Sequence, residues 1–308
     1  MTSTSPSATS TADLASGLDP AWVTDAVRRT LDEDLGGYPG RDVTSQATIA
    51  ASSGAMAHLM ARADGVVAGL AVVQETVTQV SDRFGLAPVT VVLDVADGAR
   101  VTAGQRLAVL TGPVQAILIA ERSLLNLASR ASGVATATRA WADRLAGTGA
   151  MVLDTRKTTP GLRALEKFAV RAGGGTNKRM GLYDVAMVKD NHVVAAGSVA
   201  GAIEAVAAAF PGVLVQVEAD TQAQALEAIG AGARFLLLDN MATPVLAATV
   251  AAVRALEAEV GPVELEATGN LTLDRAAEVA GTGVDYLSVG ALTHSAPILD
   301  LALDLVSR

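Results

Sequence analysis

All four lysines of the 308-residue chain, Lys157, Lys167, Lys178 and Lys189, fall within 33 consecutive positions. Between Asp154 and His192 there are eight Lys and Arg against four Asp and Glu, so this stretch is cationic inside a protein of formal net charge −9. Lysines confined to one segment read as placed for small anions rather than for hydration, which the chain supplies elsewhere with Arg, Asp and Glu. Other polar groups follow short apolar runs. Asp154-Thr155-Arg156-Lys157 follows the first, Lys189-Asp190-Asn191-His192 the second, and Glu218 and Asp220 end the third. Asp239-Asn240 ends the fourth, Glu266-Ala267-Thr268-Gly269-Asn270 the fifth, and Gly290-Ala291-Leu292-Thr293-His294 the sixth. Together they make a cationic half (Arg156, Lys157, Lys178, Arg179, Lys189) and an acidic half (Glu218, Asp220, Asp239). Arginine forks match planar carboxylates, and an oxygen-only acidic set suits Mg²⁺ or ribose hydroxyls. Thr268-Gly269-Asn270 and Gly290-Ala291-Leu292 offer backbone N–H groups ahead of helices, an arrangement that binds phosphate. Anionic substrate, metal and phosphate point to phosphoribosyl transfer or to a sugar-phosphate aldol reaction. The aldol reading would use Lys157 or Lys189 as a Schiff-base nucleophile, its pKa depressed by neighbouring cations.

The elements that must position these groups follow from periodicity. Residues 20–35 carry apolar positions at helical spacing and stop at Gly36-Gly37. Residues 55–115 read as short strands cut by glycines. Within them DGARVTAGQRLAVLTG resembles the hammerhead hairpin of lipoyl and biotinyl carriers; those need a lysine in the turn and this segment has none, so the likeness is one of architecture. From about residue 120 helices and strands alternate. Strands are expected at 151–154, 185–188, 213–218, 235–239, 263–267 and 285–290, between helices at 119–146, 160–172, 198–209, 221–230, 243–258 and 272–281. Six apolar strands separated by helices make a parallel sheet, doubly wound or closed into a barrel. In a barrel the carboxyl ends of the strands ring one mouth, where active sites sit. No G-x-G-x-x-G follows the first strand, so a dinucleotide fold is not indicated.

Composition narrows the function classes. The acidic balance disfavours a polyanionic partner such as DNA, and an aromatic content of 3% leaves little to stack on bases. The chain has no cysteine, which excludes disulfides and thiolate chemistry and fits a cytoplasmic protein. No run of about 18 uncharged apolar residues appears, so no membrane span is expected. Residues 1–17, rich in Ser, Thr and Ala, read as a disordered tail rather than a signal peptide. His58, in a strand of alternating pattern, reads as structural, while His192 reads equally as a mouth residue or a loop hydrogen-bonding group.

Several long motifs occur in order: EDLGGYPGRDVTSQAT (33–48), ERSLLNLASRASGVATAT (121–138), DTRKTTPGLRALEKFAVRAGGG (154–175), GLYDVAMVKDNH (181–192), LLDN (237–240), LEATGN (265–270) and GVDYLSVGALTHS (283–295). By these motifs the chain resembles the quinolinate phosphoribosyltransferase family over essentially everything after the tail. The resemblance implies an amino-terminal open α/β sandwich (18–125), an irregular six-stranded parallel β/α barrel (126–293), and a carboxy-terminal helix (294–308) packing back on the sandwich. It implies transfer of the phosphoribosyl group of 5-phosphoribosyl 1-pyrophosphate to quinolinate, with Mg²⁺ as cofactor, giving nicotinate mononucleotide, pyrophosphate and CO₂ in NAD synthesis. A homodimer, or a higher oligomer built from it, would share its active sites, with Arg122 reaching into the partner's mouth.

The roles implied are then specific. Arg122, Arg156, Lys178, Arg179 and Lys189, with Thr155, would bind quinolinate, whose two adjacent carboxylates need several fixed cations. Lys157 would hold the phosphates of the second substrate. Glu218 and Asp239 would hold the ribose hydroxyls and Mg²⁺, the metal mostly through substrate and water, and stabilise positive charge at the anomeric carbon. Thr268, Gly269, Asn270, Gly290 and His294 would receive phosphate. Family members usually read Asn-His-Arg after the triple glycine, and this chain reads Asn177-Lys178-Arg179. A cation is kept where imidazole is expected, so another aromatic nitrogen-heterocycle carboxylate is the alternative acceptor.

Overall fold

The structure is a computed structural model and describes residues 17–306, so the tail expected at 1–17 falls almost wholly outside it. Two compact units are present. The first comprises the chain up to Arg139 together with Thr158–Gly174 and the residues from Leu292 onward; the second comprises Ala140–Lys157 and Gly175–Ala291.

In the first unit, helix α1 (Pro20–Leu35) starts at Asp19, whose carboxylate accepts from Ala21 N at 3.0 Å, and stops at Gly36 in the left-handed conformation. Its apolar stripe, Val23, Ala26, Val27, Leu31 and Leu35, is buried. After the short helix α2 (Ser45–Thr48) come strands β1 (Gly54–Ala61) and β2 (Gly65–Val66), helix α3 (Ala71–Phe84), then β3 (Thr90–Leu93), β4 (Arg100–Val101) and β5 (Arg106–Pro113). The DGARVTAGQRLAVLTG phrase does not make a hairpin with itself: β4 pairs with β2, while β5 lies between β1 and β3.

A second correction concerns the carboxyl end. The segment expected to be a helix is strand β12 (Leu301–Leu305), antiparallel to β1 from Ala57↔Leu305 to Ala61↔Leu301. It does pack on the sandwich sheet, whose order is β12-β1-β5-β3. Leu301, Leu303 and Leu305 recur at a period of two, which a strand on an open sheet edge uses directly. Arg62 fixes the register with two bonds to Asp304 at 2.6 and 2.8 Å.

The boundary expected at 125/126 also moves, because helix α4 runs unbroken from Val114 to Leu145. Gly133 lies midway along it, where an added Cβ would stand 2.8 Å from Ile298 Cα; only hydrogen fits there. Helix α5 (Arg163–Ala172), expected to belong to the barrel, is part of the first unit. Its Glu166 is fully buried and accepts from Arg130 Nε at 3.0 Å, Arg130 Nη2 at 2.8 Å, Thr159 N at 3.0 Å and Thr159 Oγ1 at 2.7 Å.

The second unit holds the six expected parallel strands: β6 (Met151–Leu153), β7 (Val185–Val188), β8 (Leu214–Ala219), β9 (Phe235–Asp239), β10 (Glu264–Thr268) and β11 (Tyr286–Ser288). Their order is β6-β11-β10-β9-β8-β7: strands two to six follow the sequence, and the sheet closes from the sixth back to the first. The seam lies between β6 and β7, where Thr176 makes one parallel bridge to Leu153. That is an irregular barrel. Helices α6 (Asp190–Ala196), α7 (Val199–Ala209), α8 (Gln222–Gly230), α9 (Thr243–Val260) and α10 (Ala276–Ala280) connect the strands, and the short α11 (Ala291–His294) follows the last. The helix expected at 272–281 begins as a 3₁₀ turn at Leu273–Arg275. Among the described residues no single helix is long and apolar enough to cross a membrane.

Candidate functional site

Alternation along parallel strands decides which side chains meet. The pairings Met187↔Gln216, Glu218↔Leu237, Glu266↔Leu237, Thr268↔Asp239 and Glu266↔Tyr286 put these residues on one face of the curled sheet. They form layers. Leu153, Phe235 and Tyr286 pack together at one end with Met151 against them. Gln216, Glu266 and Ser288 come next, all buried. Glu218, Asp239, Thr268 and the residue after β7, Lys189, come last, at the carboxyl ends.

The end layer opens on a cavity lined by Thr155, Arg156, Lys157, Lys178, Arg179, Lys189, Glu218, Asp239 and Thr268, all nine of them expected from sequence. Met187, Leu237 and Ser288 complete the lining. Gly269, Asn270 and Gly290 occupy the adjoining loops without lining it. Arg122 and His294 belong to the first unit. Arg122 is two-thirds exposed on α4 and pairs with Glu121 at 3.4 Å, and His294 Nδ1 lies 2.6 Å from Ser295 Oγ.

Two of the mouth's cations are already paired with carboxylates. Lys189 Nζ bonds Glu218 Oε2. Lys178 Nζ donates to Glu266 Oε1 at 2.5 Å, and Gln216 Nε2 donates to Glu266 Oε2 at 2.6 Å; Ser288 Oγ also bonds Oε1. Burial pulls the Lys178 ammonium below the ordinary lysine pKa, Glu266 opposes this, and the cations of Arg179 and Lys189 add to the lowering. Burial, and then Arg156, press Arg179 the same way. Arg179 is steadied by its Nη1 bond to the Val185 carbonyl at 2.8 Å.

Local structure aims these groups. Asp154, fully buried after β6, accepts from Asn177 Nδ2 at 2.6 Å and from Lys178 N at 2.9 Å, which ties the Asn177-Lys178-Arg179 turn to the strand bearing Thr155-Arg156-Lys157. Lys189 caps α6, and its N–H donates to His192 Nδ1 at 3.0 Å, so the His192 ring serves this turn. Thr221 caps α8 in a capping box with Gln224, whose Oε1 also accepts from Asp220 N at 2.9 Å.

Carboxylate oxygens of Glu218, Asp220 and Asp239 lie within 4.8 Å of one another. An oxygen-only set of this kind fits a hard divalent cation. From sequence, Asp220 falls with Glu218 and Asp239 in the acidic half suited to Mg²⁺, but only Glu218 and Asp239 are named as metal ligands, and no site role goes to Gln216, Glu266 or Ser288. Their signal was a polar residue two positions before a mouth residue on the same strand face: Gln216 before Glu218, and Glu266 before Thr268.

The carboxy-terminal domain model of quinolinate phosphoribosyl transferase matches residues 134–304, and the amino-terminal domain model of the same family matches residues 42–132. A nicotinate-nucleotide pyrophosphorylase [carboxylating] of Mycobacterium leprae is 47% identical over 281 residues, covering 91% of this chain and 96% of its own length. A quinolinate phosphoribosyltransferase [decarboxylating] of Nicotiana glauca is 38% identical over 292 residues, covering 91% and 81%. The solved nicotinate-nucleotide pyrophosphorylase of Francisella tularensis superposes with a TM-score of 0.84 at 32% identity, covering 94% of this chain and 98% of that one.

Proposed function

The chain belongs to the quinolinate phosphoribosyltransferase family, and from that premise we propose how its barrel mouth divides the work of joining quinolinate to 5-phosphoribosyl 1-pyrophosphate. The enzyme transfers the phosphoribosyl group to quinolinate with decarboxylation, giving nicotinate mononucleotide, pyrophosphate and CO₂ in de novo NAD synthesis. The observation that carries the division of roles is a cavity whose lining brings Arg156, Lys178, Arg179 and Lys189 together with Glu218 and Asp239.

Quinolinate is a planar dianion. Arg156 and Arg179 take its carboxylates through guanidinium forks, with Lys178, Lys189 and Thr155 completing the shell. Lys157 holds the phosphates of the sugar substrate, and the backbone of Thr268, Gly269, Asn270 and Gly290 receives its terminal phosphate. Glu218 and Asp239 hold the ribose hydroxyls and stabilise the positive charge that develops at the anomeric carbon as the pyrophosphate bond breaks. Mg²⁺, held by Glu218 and Asp239 with Asp220 in reach and mostly through substrate and water, would neutralise charge on the departing pyrophosphate. The ring nitrogen bonds the anomeric carbon and becomes a pyridinium. The carbon–carbon bond to the neighbouring carboxylate then breaks, CO₂ leaves, and the electron pair left on ring C2 takes a proton from water. The pyridinium stabilises that pair, so no protein-bound electron sink is required. What the chain contributes is two anions held in attack geometry against their repulsion.

A homodimer with shared mouths is part of this reading. Leu182 of the second unit, 75% exposed, lines with Ala195, Ala196 and Val206 a hollow that also touches Arg156, Arg179 and Lys189, an apolar surface that calls for a cover. In the dimer the partner subunit's Arg122 completes the cationic shell. The lack of cysteine accords with a cytoplasmic enzyme. The test is acceptor selectivity. Purified protein with 5-phosphoribosyl 1-pyrophosphate and Mg²⁺ should turn over quinolinate and leave nicotinate and nicotinamide untouched; equal rates with nicotinate would reject the dicarboxylate shell.

A further inference from the structure

Two non-glycine residues among those described have left-handed backbone, and they stand side by side at the mouth: Asn240, φ 54°, directly after β9, and Asn270, φ 47°, two residues after β10. Side-chain-bearing residues hold this conformation against a cost, and such strain gathers where function over-determines the backbone. Here the two are joined. Asn270 Nδ2 donates to Asn240 Oδ1 at 3.2 Å, and Asn240 Nδ2 donates to Asp239 Oδ2 at 2.9 Å. The Asn240 N–H meanwhile donates to the Thr268 carbonyl at 3.0 Å, continuing the β9–β10 ladder past its last pair. Gly269, itself at φ 92°, leaves room for the Asn240 carboxamide: a Cβ there would stand 2.6 Å from Asn240 Cγ and 2.8 Å from the Asn240 backbone nitrogen.

From this geometry we infer that Asn240 is a positioning residue for phosphoribosyl transfer, aiming the Asp239 carboxylate at the sugar substrate, with Asn270 acting through it. The inference rests on the phosphoribosyl reading of the site and adds to it a device inside that site. One oxygen of Asp239 is held by a neutral donor, which leaves the other for ribose or metal. The donor is itself oriented by Asn270, in the loop assigned to phosphate. A carboxylate held in advance need not be reorganised when charge develops opposite it. The same chain of contacts makes the phosphate loop and Asp239 one unit. Asn270 is thereby assigned to the relay rather than to direct phosphate contact through its side chain.

Glycine at position 240 or 270 keeps positive φ without strain and removes only the side-chain link, so the variants separate positioning from folding. Asn240→Gly should raise the Michaelis constant for 5-phosphoribosyl 1-pyrophosphate roughly 10-fold, about what one hydrogen bond to a charged group is worth. The constant for quinolinate should stay within about twofold, and the melting temperature should hold or rise as strain is relieved. Asn240→Asp, which sets a second carboxylate against Asp239, should be worse than Asn240→Gly. Asn270→Gly should show a smaller version of the same split, and in the Asn240→Gly background it should add nothing further. Calorimetric binding of 5-phosphoribosyl 1-pyrophosphate with Mg²⁺, run without quinolinate, should follow the same order independently of turnover. An unchanged constant in Asn240→Gly would overturn the inference. So would both substrates weakening together with a fall in melting temperature, or additive effects in the double variant. Failure of the native enzyme itself to bind the sugar substrate would instead overturn the functional reading beneath it.

Discussion

Removing Lys178 and Glu266 together should harm quinolinate binding less than removing Lys178 alone. The Lys178 ammonium carries three N–H donors, of which one goes to Glu266 Oε1 at 2.5 Å. A charge-assisted bond from it to a quinolinate carboxylate is worth about 1.5–3 kcal/mol, so Lys178→Ala should raise the Michaelis constant for quinolinate roughly 10- to 150-fold at about 1.4 kcal/mol per decade. The structure places this variant at the upper end. With the ammonium gone, Glu266 keeps Gln216 and Ser288 as donors but loses its counter-charge, and it is fully buried beneath a cavity that must admit a dianion. Glu266→Gln in the Lys178→Ala background removes that negative charge and should lower the constant again by roughly 10-fold, within the coupling range of about 0.5–3 kcal/mol for residues in one network. The assay is steady-state kinetics with quinolinate varied at saturating sugar substrate and Mg²⁺, in which the constant for the sugar substrate should barely move. Lys178→His should restore much of the binding, and more as pH falls toward about 6, because imidazole is half protonated near pH 6.5. A double variant that binds no better than Lys178→Ala would refute the placement of this pair against the substrate. A Lys178→His enzyme that outperforms the native one on quinolinate would show that the native acceptor is a different acid.

Arg122→Ala and Lys189→Ala should each be nearly inactive alone, yet mixed subunits should regain about a quarter of native activity, because one mouth of each mixed dimer carries neither change; no recovery in a preparation shown to exchange subunits would remove Arg122 from the partner's site. Arg130→Met strips the counter-charge from buried Glu166 and should destabilise the protein by about 3–5 kcal/mol in denaturant unfolding; an unchanged midpoint would contradict that pairing. Burial raises the Asp97 pKa above its ordinary value, against a bond from Leu70 N at 3.0 Å. The folded state therefore binds the Asp97 proton more tightly than the unfolded one, and stability falls as pH rises from the unfolded value of 3.8 through the raised folded one. Asp97→Asn should flatten that part of the stability profile, and an identical slope would rule Asp97 out as its source.

What was legible in the sequence follows from what is local. The six strands and the polar residues at their carboxyl ends could be read because strand burial and the barrel rule both act within a few residues of each position. The cationic cluster could be read because lysine is confined to it. The middle layer was not legible as such. Gln216 lies within a run that reads as an apolar strand and Glu266 reads only as the polar end of another, and their worth depends on partners such as Lys178, 88 positions from Glu266 in sequence. The resemblance implies a helix at the carboxyl end, whereas Leu301, Leu303 and Leu305 alternate as a strand does and pair along the open edge of β1. The unit boundary was misread because a continuous helix carries no sequence mark where one compact unit gives way to another.

The measurement closest to the central claim is product stoichiometry. Purified enzyme given quinolinate, 5-phosphoribosyl 1-pyrophosphate and Mg²⁺ should release nicotinate mononucleotide, pyrophosphate and CO₂ in equal amounts, with the CO₂ drawn from the carboxylate next to the ring nitrogen. Loss of product formation in Glu218→Gln and Asp239→Asn would follow from the same account. A ribosylated product that keeps both carboxylates, CO₂ released without pyrophosphate, or full turnover in those two variants would contradict it.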